Sequence, residues 1–161
     1  MDVLTPQQRS HCMSKISGRN TKPELLVRQA LFALGLRYRL HRRDLPGTPD
    51  LVFPKYRAVI LIHGCFWHGH GCRLFVIPET NREFWIKKIT GNQRRDTEKH
   101  NSLKRLGWRA LTIWECALRG AGRQPLESIA REIHSWLTGS SLAGEIPFLK
   151  RLKRIGVKHR N

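Results

Sequence analysis

Apolar positions recur along this chain with two different periods. From Leu25 to Leu36 the spacing is helical, and Thr21-Lys22-Pro23-Glu24 marks the start: a threonine cap, a proline in the first turn and a glutamate three residues after the cap. Gly35 supplies a stop. Leu126, Ile129, Ile133, Trp136 and Leu137 repeat the helical spacing and predict an amphipathic helix over residues 125–137. Shorter runs of strand character lie between. Leu51-Val52-Phe53 follows the turn-rich Leu45-Pro46-Gly47-Thr48-Pro49-Asp50. Pro54-Lys55-Tyr56-Arg57 then turns the chain into Ala58-Val59-Ile60-Leu61-Ile62-His63, which predicts an antiparallel hairpin. Glu83 to Arg105 reads as mostly helical and basic on one side, with a break near Gly91-Asn92, and Trp108 to Trp114 reads as a strand. The order helix, hairpin, helix, strand, helix predicts a mixed α/β domain with a central sheet flanked by helices. Polar, basic residues 1–19 predict an arm or short helix before a domain over 20–145, and residues 146–161 predict a basic tail.

Length and composition narrow the class. A chain of 161 residues with 40% hydrophobic content forms one globular domain with a core of its own. No apolar run approaches the ~20 residues of a membrane span, and the first residues lack a secretory h-region, so an intracellular, cytoplasmic protein is expected. A reducing compartment makes metal the better use for clustered cysteines. Thirty Lys and Arg against twelve Asp and Glu give a net charge of +18, a field that attracts polyanions, nucleic acid first. A membrane surface is the weaker partner, because no long helix pairs a basic face with a bulky apolar one.

The chemistry gathers in Ile62-His63-Gly64-Cys65-Phe66-Trp67-His68-Gly69-His70-Gly71-Cys72, which leaves a buried strand for a loop. Cys65, His70 and Cys72, with Cys116 after the later strand, suit a closed four-coordinate structural Zn2+. The alternative makes Cys116 a core cysteine and leaves the loop histidines solvated. Asp50, at the start of a hairpin strand, is placed to hold Mg2+ against a phosphate, or merely to cap the turn. His63 and His68 can exchange protons near neutral pH. Phosphodiester hydrolysis needs an activated water, neutralised charge and a protonated leaving oxygen, and a metal at Asp50 plus two histidines can supply all three. Phe66 and Trp67 on a tight loop suit a wedge between base steps, or packing on the sheet. Cys12 is left without a role.

These residues together resemble the Vsr-type very-short-patch-repair endonucleases, which nick DNA beside a T·G mismatch. The resemblance runs from about Arg9 to Leu137. It is most specific in Leu45–Asp50, His63–His68, His70 with Cys72, Glu83-Phe84-Trp85, Asn92 with Asp96, Gly107-Trp108-Arg109 and Trp114–Leu118. It implies a restriction-endonuclease-like fold, a catalytic Mg2+ at Asp50, and His63 and His68 in the hydrolytic chemistry. It implies that Asp96 orients His68 and that Glu24 stands near the site, although capping accounts for Glu24 equally well. It also implies Zn2+ on Cys65, His70, Cys72 and Cys116, and Phe66 and Trp67 as the wedge. Met13 would touch DNA from the other groove, and Trp85 joins the DNA-binding set.

Three departures stand out. Ile62 replaces a threonine whose main-chain carbonyl would reach the metal, and a main-chain oxygen survives that change. Gly69 replaces a histidine, which is expected to loosen the loop. The acid-x-lysine of restriction enzymes is missing from Ala58–His63.

The function so implied is a Mg2+-dependent, monomeric bacterial enzyme at the nucleoid. It nicks double-stranded DNA next to a T·G mismatch left by 5-methylcytosine deamination and hands the nick to mismatch-repair proteins and a repair polymerase. A restriction-type endonuclease acting on paired DNA is the alternative within the fold. A zinc-braced DNA-binding module is the alternative outside it, and such a module has no need of Asp50, His63, His68 and Asp96 together.

Overall fold

The computed structural model describes residues 5–147 apart from residue 17. The N-terminal segment forms helix α1 (Pro6–Ser14), closed by a reciprocal Thr5–Gln8 capping box. Helix α2 (Lys22–Ala33) starts at Thr21 as the cap pattern predicts and ends in a Schellman turn. There Gly35 sits at φ +80°, its N–H bonds Phe32 O, and Leu36 N–H bonds Leu31 O. Strands β1 (Arg39–Leu40), β2 (Leu51–Phe53) and β3 (Ala58–His63) follow, with a short 3-10 turn at Pro54–Tyr56. Then come helix α3 (Arg82–Arg105), strand β4 (Arg109–Trp114), the one-turn helix α4 (Glu115–Leu118), helix α5 (Leu126–Thr138) and strand β5 (Ala143–Ile146).

The five strands form one mixed sheet in the order β1-β2-β3-β4-β5. β1–β2 and β2–β3 pair antiparallel; β3–β4 and β4–β5 pair parallel. Alternation along the strands sorts side chains between the two faces. Leu51, Phe53, Ala58, Ile60, Leu111 and Ile113 pack with Val27 and Leu31 of α2 and Ile129, Ile133 and Leu137 of α5. Val52, Val59 and Ala110 point the other way, onto Leu103 of α3. The same two-residue count puts Asp50, His63, Thr112 and Trp114 on the α3 face, so one face of one sheet end collects the reactive side chains.

The hairpin, the mixed sheet and both terminal helices of the domain match the reading of the sequence; the break expected at Gly91-Asn92 does not occur. Helix α3 runs 24 residues through it. Asn92 turns its amide away from its own backbone and donates to Trp67 O at 2.7 Å, which removes the competition that makes asparagine a helix breaker. The α3 helix ends in a second Schellman turn at Gly107 (φ +76°), with Trp108 N–H on Leu103 O. The edge strands β1 and β5 and the helix α4 were not expected. Arg109 ties β4 to α5 by donating to the carbonyls of Trp136, Leu137, Gly139 and Ser141. Among the described residues no helix is long and apolar enough to cross a membrane. Residues 148–161, which hold the basic tail, lie outside the described part of the chain.

Candidate active site and thiol cluster

The site is built at the start of β2 and the end of β3, where the hairpin opens toward α3. Ile62 N–H donates to Asp50 Oδ2 at 2.7 Å, which fixes one carboxylate oxygen and leaves Oδ1 to be offered. Burial raises Asp50 from 3.8 to about 6; the Ile62 hydrogen bond opposes that rise and the nearby Glu24 charge adds to it. Glu24 is 2% exposed. Its carboxylate accepts from Asn20 N–H, the Thr21 hydroxyl and Arg28, the last at 2.8 Å. His41 lies beside it, Nε2 3.0 Å from Arg28 Nη2, and burial lowers its proton affinity. Ligand atoms of Glu24, His41 and Asp50 all fall within 4.8 Å of one another. A buried and a half-buried carboxylate with an imidazole of lowered proton affinity fit a divalent cation, which relieves the repulsion between the acids.

Next to Asp50 stand the histidines. The rings of His63 and His68 stack with centroids 3.8 Å apart and planes 4° from parallel. His68 Nδ1 meets Asp96 Oδ2 of α3 at 2.5 Å, which leaves Nε2 toward the cleft. Burial pulls Asp96 up, but the hydrogen bond to His68 and the nearby charges win and leave it below the ordinary carboxylate value. His63 is pushed down to about 3, by burial first and by the His68 charge second. The stacked pair therefore carries at most one positive charge near neutral pH.

The loop between the histidines holds the other groups. Cys65 and Cys116 Sγ lie 3.7 and 3.4 Å from His70 Nδ1. Cys72 completes the set, with all four ligand atoms within 4.8 Å. Burial, and then the neighbouring thiols, push Cys65 well above the usual thiol value, while burial lowers His70. A buried Cys65 thiol that resists ionisation, gathered with two more cysteines and an imidazole of lowered proton affinity, belongs to a donor set that suits Zn2+. His70 stacks on Trp114 at 4.2 Å, and Glu115 accepts from Cys65 N–H at 3.2 Å while pairing with Arg119, so the cluster is pinned to the end of β4.

Phe66, Trp67 and Trp85 meet edge to face, 5.1–6.1 Å between centroids, with Lys88 Nζ 5.4 Å from the Trp67 ring. A cleft of about 490 Å³ runs from these aromatics to α1; Met13, Glu24, His63, Trp67, His68 and Lys88 are among its walls. Gly69 does not loosen the loop. It sits at φ +63°, and a Cβ there would come within 2.8 Å of Ile89 Cγ2, so glycine lets the loop seat on α3.

Comparison with known proteins agrees with this layout. The family model for DNA mismatch endonuclease Vsr matches residues 1–74. The chain is 41% identical to the DNA mismatch endonuclease Vsr of Escherichia coli K12, over 90% of this chain and 93% of that protein. The chain belongs to the Vsr family of DNA mismatch endonucleases. It is also 46% identical to the type II nicking enzyme V.XorIIP of Xanthomonas oryzae pv. oryzae (82% of this chain, 96% of the relative). With V.NmeAIP of Neisseria meningitidis the identity is 43%, again over 82% and 96%. Membership in the Vsr family makes the chain a DNA endonuclease, a hydrolase of phosphodiester bonds.

The Vsr fold brings the residues singled out in the sequence into two adjoining groups. Asp50, Glu24, His63, His68, Asp96 and Ile62 share one cavity system with Met13 and Trp67, and the three cysteines with His70 form the second group. Trp85 meets both Phe66 and Trp67 edge to face. The sequence reading gave no role to His41, to Glu115 or to Lys99, which lines a cavity with Asp50 and His68. His41 sits in a basic stretch, His41-Arg42-Arg43, whose spacing points nowhere; its positive φ of 44° is a local backbone feature that the sequence did not signal. Lys99 had a signal: three residues past Asp96, it shares that helix face. Glu115 had one too, as the neighbour of Cys116.

Proposed function

We propose that this enzyme nicks one strand of duplex DNA beside a T·G mismatch, of the kind left by deamination of 5-methylcytosine, and so starts very short patch repair at the bacterial nucleoid. It acts as a monomer on a restriction-endonuclease-like framework, and the nick passes to repair partners and a polymerase. The observation that carries the reading is the shared cavity, in which a buried carboxylate and an acid-backed histidine lie beside an aromatic loop. The relatives named nicking enzymes support a single-strand cut, and the relative named mismatch endonuclease supports a mismatch as the signal.

Mg2+ would be held by Asp50, with the Ile62 main-chain carbonyl and Glu24 close by, and when bound it supplies charge neutralisation at the phosphate and a more acidic water. His68 takes the proton of the attacking water at Nε2, while Asp96 at Nδ1 holds the ring in that tautomer. An O–P bond forms from the water, the P–O bond to the leaving oxygen breaks, and that oxygen departs with the electron pair and takes its proton from a solvent water in the open cleft. His63 stacks on His68 and keeps it in plane. With its proton affinity held down by burial, it is not a ready proton donor in the free enzyme. Zn2+ on Cys65, His70, Cys72 and Cys116 would have no open position, so it braces the loop that carries His68 and the wedge. Phe66 and Trp67, with Met13 facing them across the cleft, enter the duplex at the weakened step.

The test is a nicking assay on otherwise identical duplexes that carry T·G or T·A at one position, across several flanking contexts. Preference for T·G with a single cut strand is the expected result. Equal cutting of T·A, or cutting of both strands, refutes the mismatch reading in favour of a restriction-type activity.

A further inference from the structure

The acid-x-lysine pair of restriction enzymes is missing from β3, where Leu61, Ile62 and His63 stand. A lysine reaches the Asp50 cavity from another element. Lys99 of α3 and Asp50 line one cavity of about 270 Å³, together with Gly47, His63 and His68. Lys99 stands one helical turn after Asp96, and its Nζ is 4.0 Å from Asp96 Oδ1. Its side chain is 40% exposed, so the ammonium stays hydrated and open to a ligand entering the cavity. Its stem passes over Gly47, which sits at φ +76°; a Cβ there would fall 2.7 Å from Lys99 Cδ and 2.9 Å from Cγ. Glycine at position 47 is what lets the lysine reach in.

The chemistry of the cavity calls for such a charge. Attack on a phosphodiester builds negative charge on the phosphoryl oxygens and the leaving oxygen. Of the residues lining this cavity, the permanently charged cations are Arg19 and Lys99, and Arg19 lies on the exposed stretch before α2. A lysine ammonium is a compact point charge suited to a phosphate oxygen.

We propose that Lys99 is a catalytic residue. It contacts the scissile phosphate from α3 and stabilises the charge that develops there. This rests on the hydrolytic reading above but not on mismatch selectivity.

The test pairs Lys99→Met with a chemical change in the DNA, on whichever duplex the wild type nicks best. Single-turnover nicking should fall about 10²-fold or more, the scale of removing one preorganised charge donor. Binding is then measured with Ca2+ in place of Mg2+, on duplexes carrying either the normal scissile phosphate or an uncharged methylphosphonate there. The variant should bind the normal duplex several-fold more weakly than the wild type and the methylphosphonate duplex equally well. Equal binding also shows that the variant is folded. Unchanged nicking overturns the proposal. So does an equal loss on both duplexes, which places Lys99 in the general field or in support of Asp96. Coupling to a neighbouring phosphate instead of the scissile one overturns it as well. Equal wild-type nicking of T·G and T·A would remove the mismatch reading and leave this test standing.

Discussion

Asp50→Asn should make the metal-free protein more stable while it abolishes nicking. The carboxyl is held at about 6 in the folded protein against 3.8 in water. Between those values the folded chain binds the proton and the unfolded chain does not, so stability falls as pH rises through that window. Above about pH 6 the full cost is present. A shift of that size corresponds to about 3 kcal/mol, an upper value for the cost of an ionised Asp50. Asparagine removes the charge and keeps an oxygen for the Ile62 N–H. Urea or thermal unfolding in magnesium-free buffer, with zinc left in place, should therefore favour the variant at pH 7.5. The gain should approach 3 kcal/mol, or roughly 6–12 °C for a domain of this size. The two proteins should converge below about pH 4. Added Mg2+ should stabilise the wild type, by about 2.7 kcal/mol at a hundred times its Kd, and leave the variant unmoved. A variant no more stable than the wild type at pH 7.5 would refute the picture of a desolvated carboxylate waiting for a cation. Equal stabilisation of both by Mg2+ would place the metal elsewhere.

Two further outcomes follow from the loop. Cys116→Ser should lose bound zinc, and with it solubility, melting temperature and nicking, because metal binding is coupled to folding; zinc-free wild type of full activity, found by elemental analysis, would remove the site. Replacing Phe66 and Trp67 by alanine should leave zinc bound and erode the preference for T·G over T·A as well as the rate. Stacking on exposed bases contributes about 1–3 kcal/mol per base and offsets the opening of a weak step more readily than of a paired one. A double variant that is slower but equally selective assigns recognition to other residues.

The sequence exposed the hairpin, α2 and α5 because cap residues and apolar spacing there agree with the tertiary packing. β1 and β5 escaped because they are short edge strands: Arg39-Leu40 is two exposed residues, and Ala143–Ile146 buries only Ile146 fully. The expected break in α3 failed because the amide of Asn92 is engaged by the aromatic loop, a contact 25 residues away in sequence. Asp50, the two histidines and the thiols were visible because such residue types rarely gather by chance, and the family pattern of Leu45–Asp50 and His63–His68 sharpened them. His41 was not, since it reaches the cavity through a left-handed backbone step; for Lys99 the spacing from Asp96 showed only the shared helix face, and its entry to the cavity depends on a glycine across it. The direction of the His63 shift was also hidden, because it depends on the depth of burial and on the stacked ring.

The segment from Ile62 to His70 leaves no residue idle. Its successive positions touch the carboxylate, the stacked rings, the thiol cluster, the aromatic group and the seat on α3. Such a segment behaves as a ruler. One inserted residue would shift His68 away from Asp96 and Trp67 away from Asn92 at once, and no neighbour could compensate for both. Natural length variation in this family should therefore collect between Val76 and Asn81, a largely exposed stretch, while Ile62 to His70 keeps its count even where its residues change.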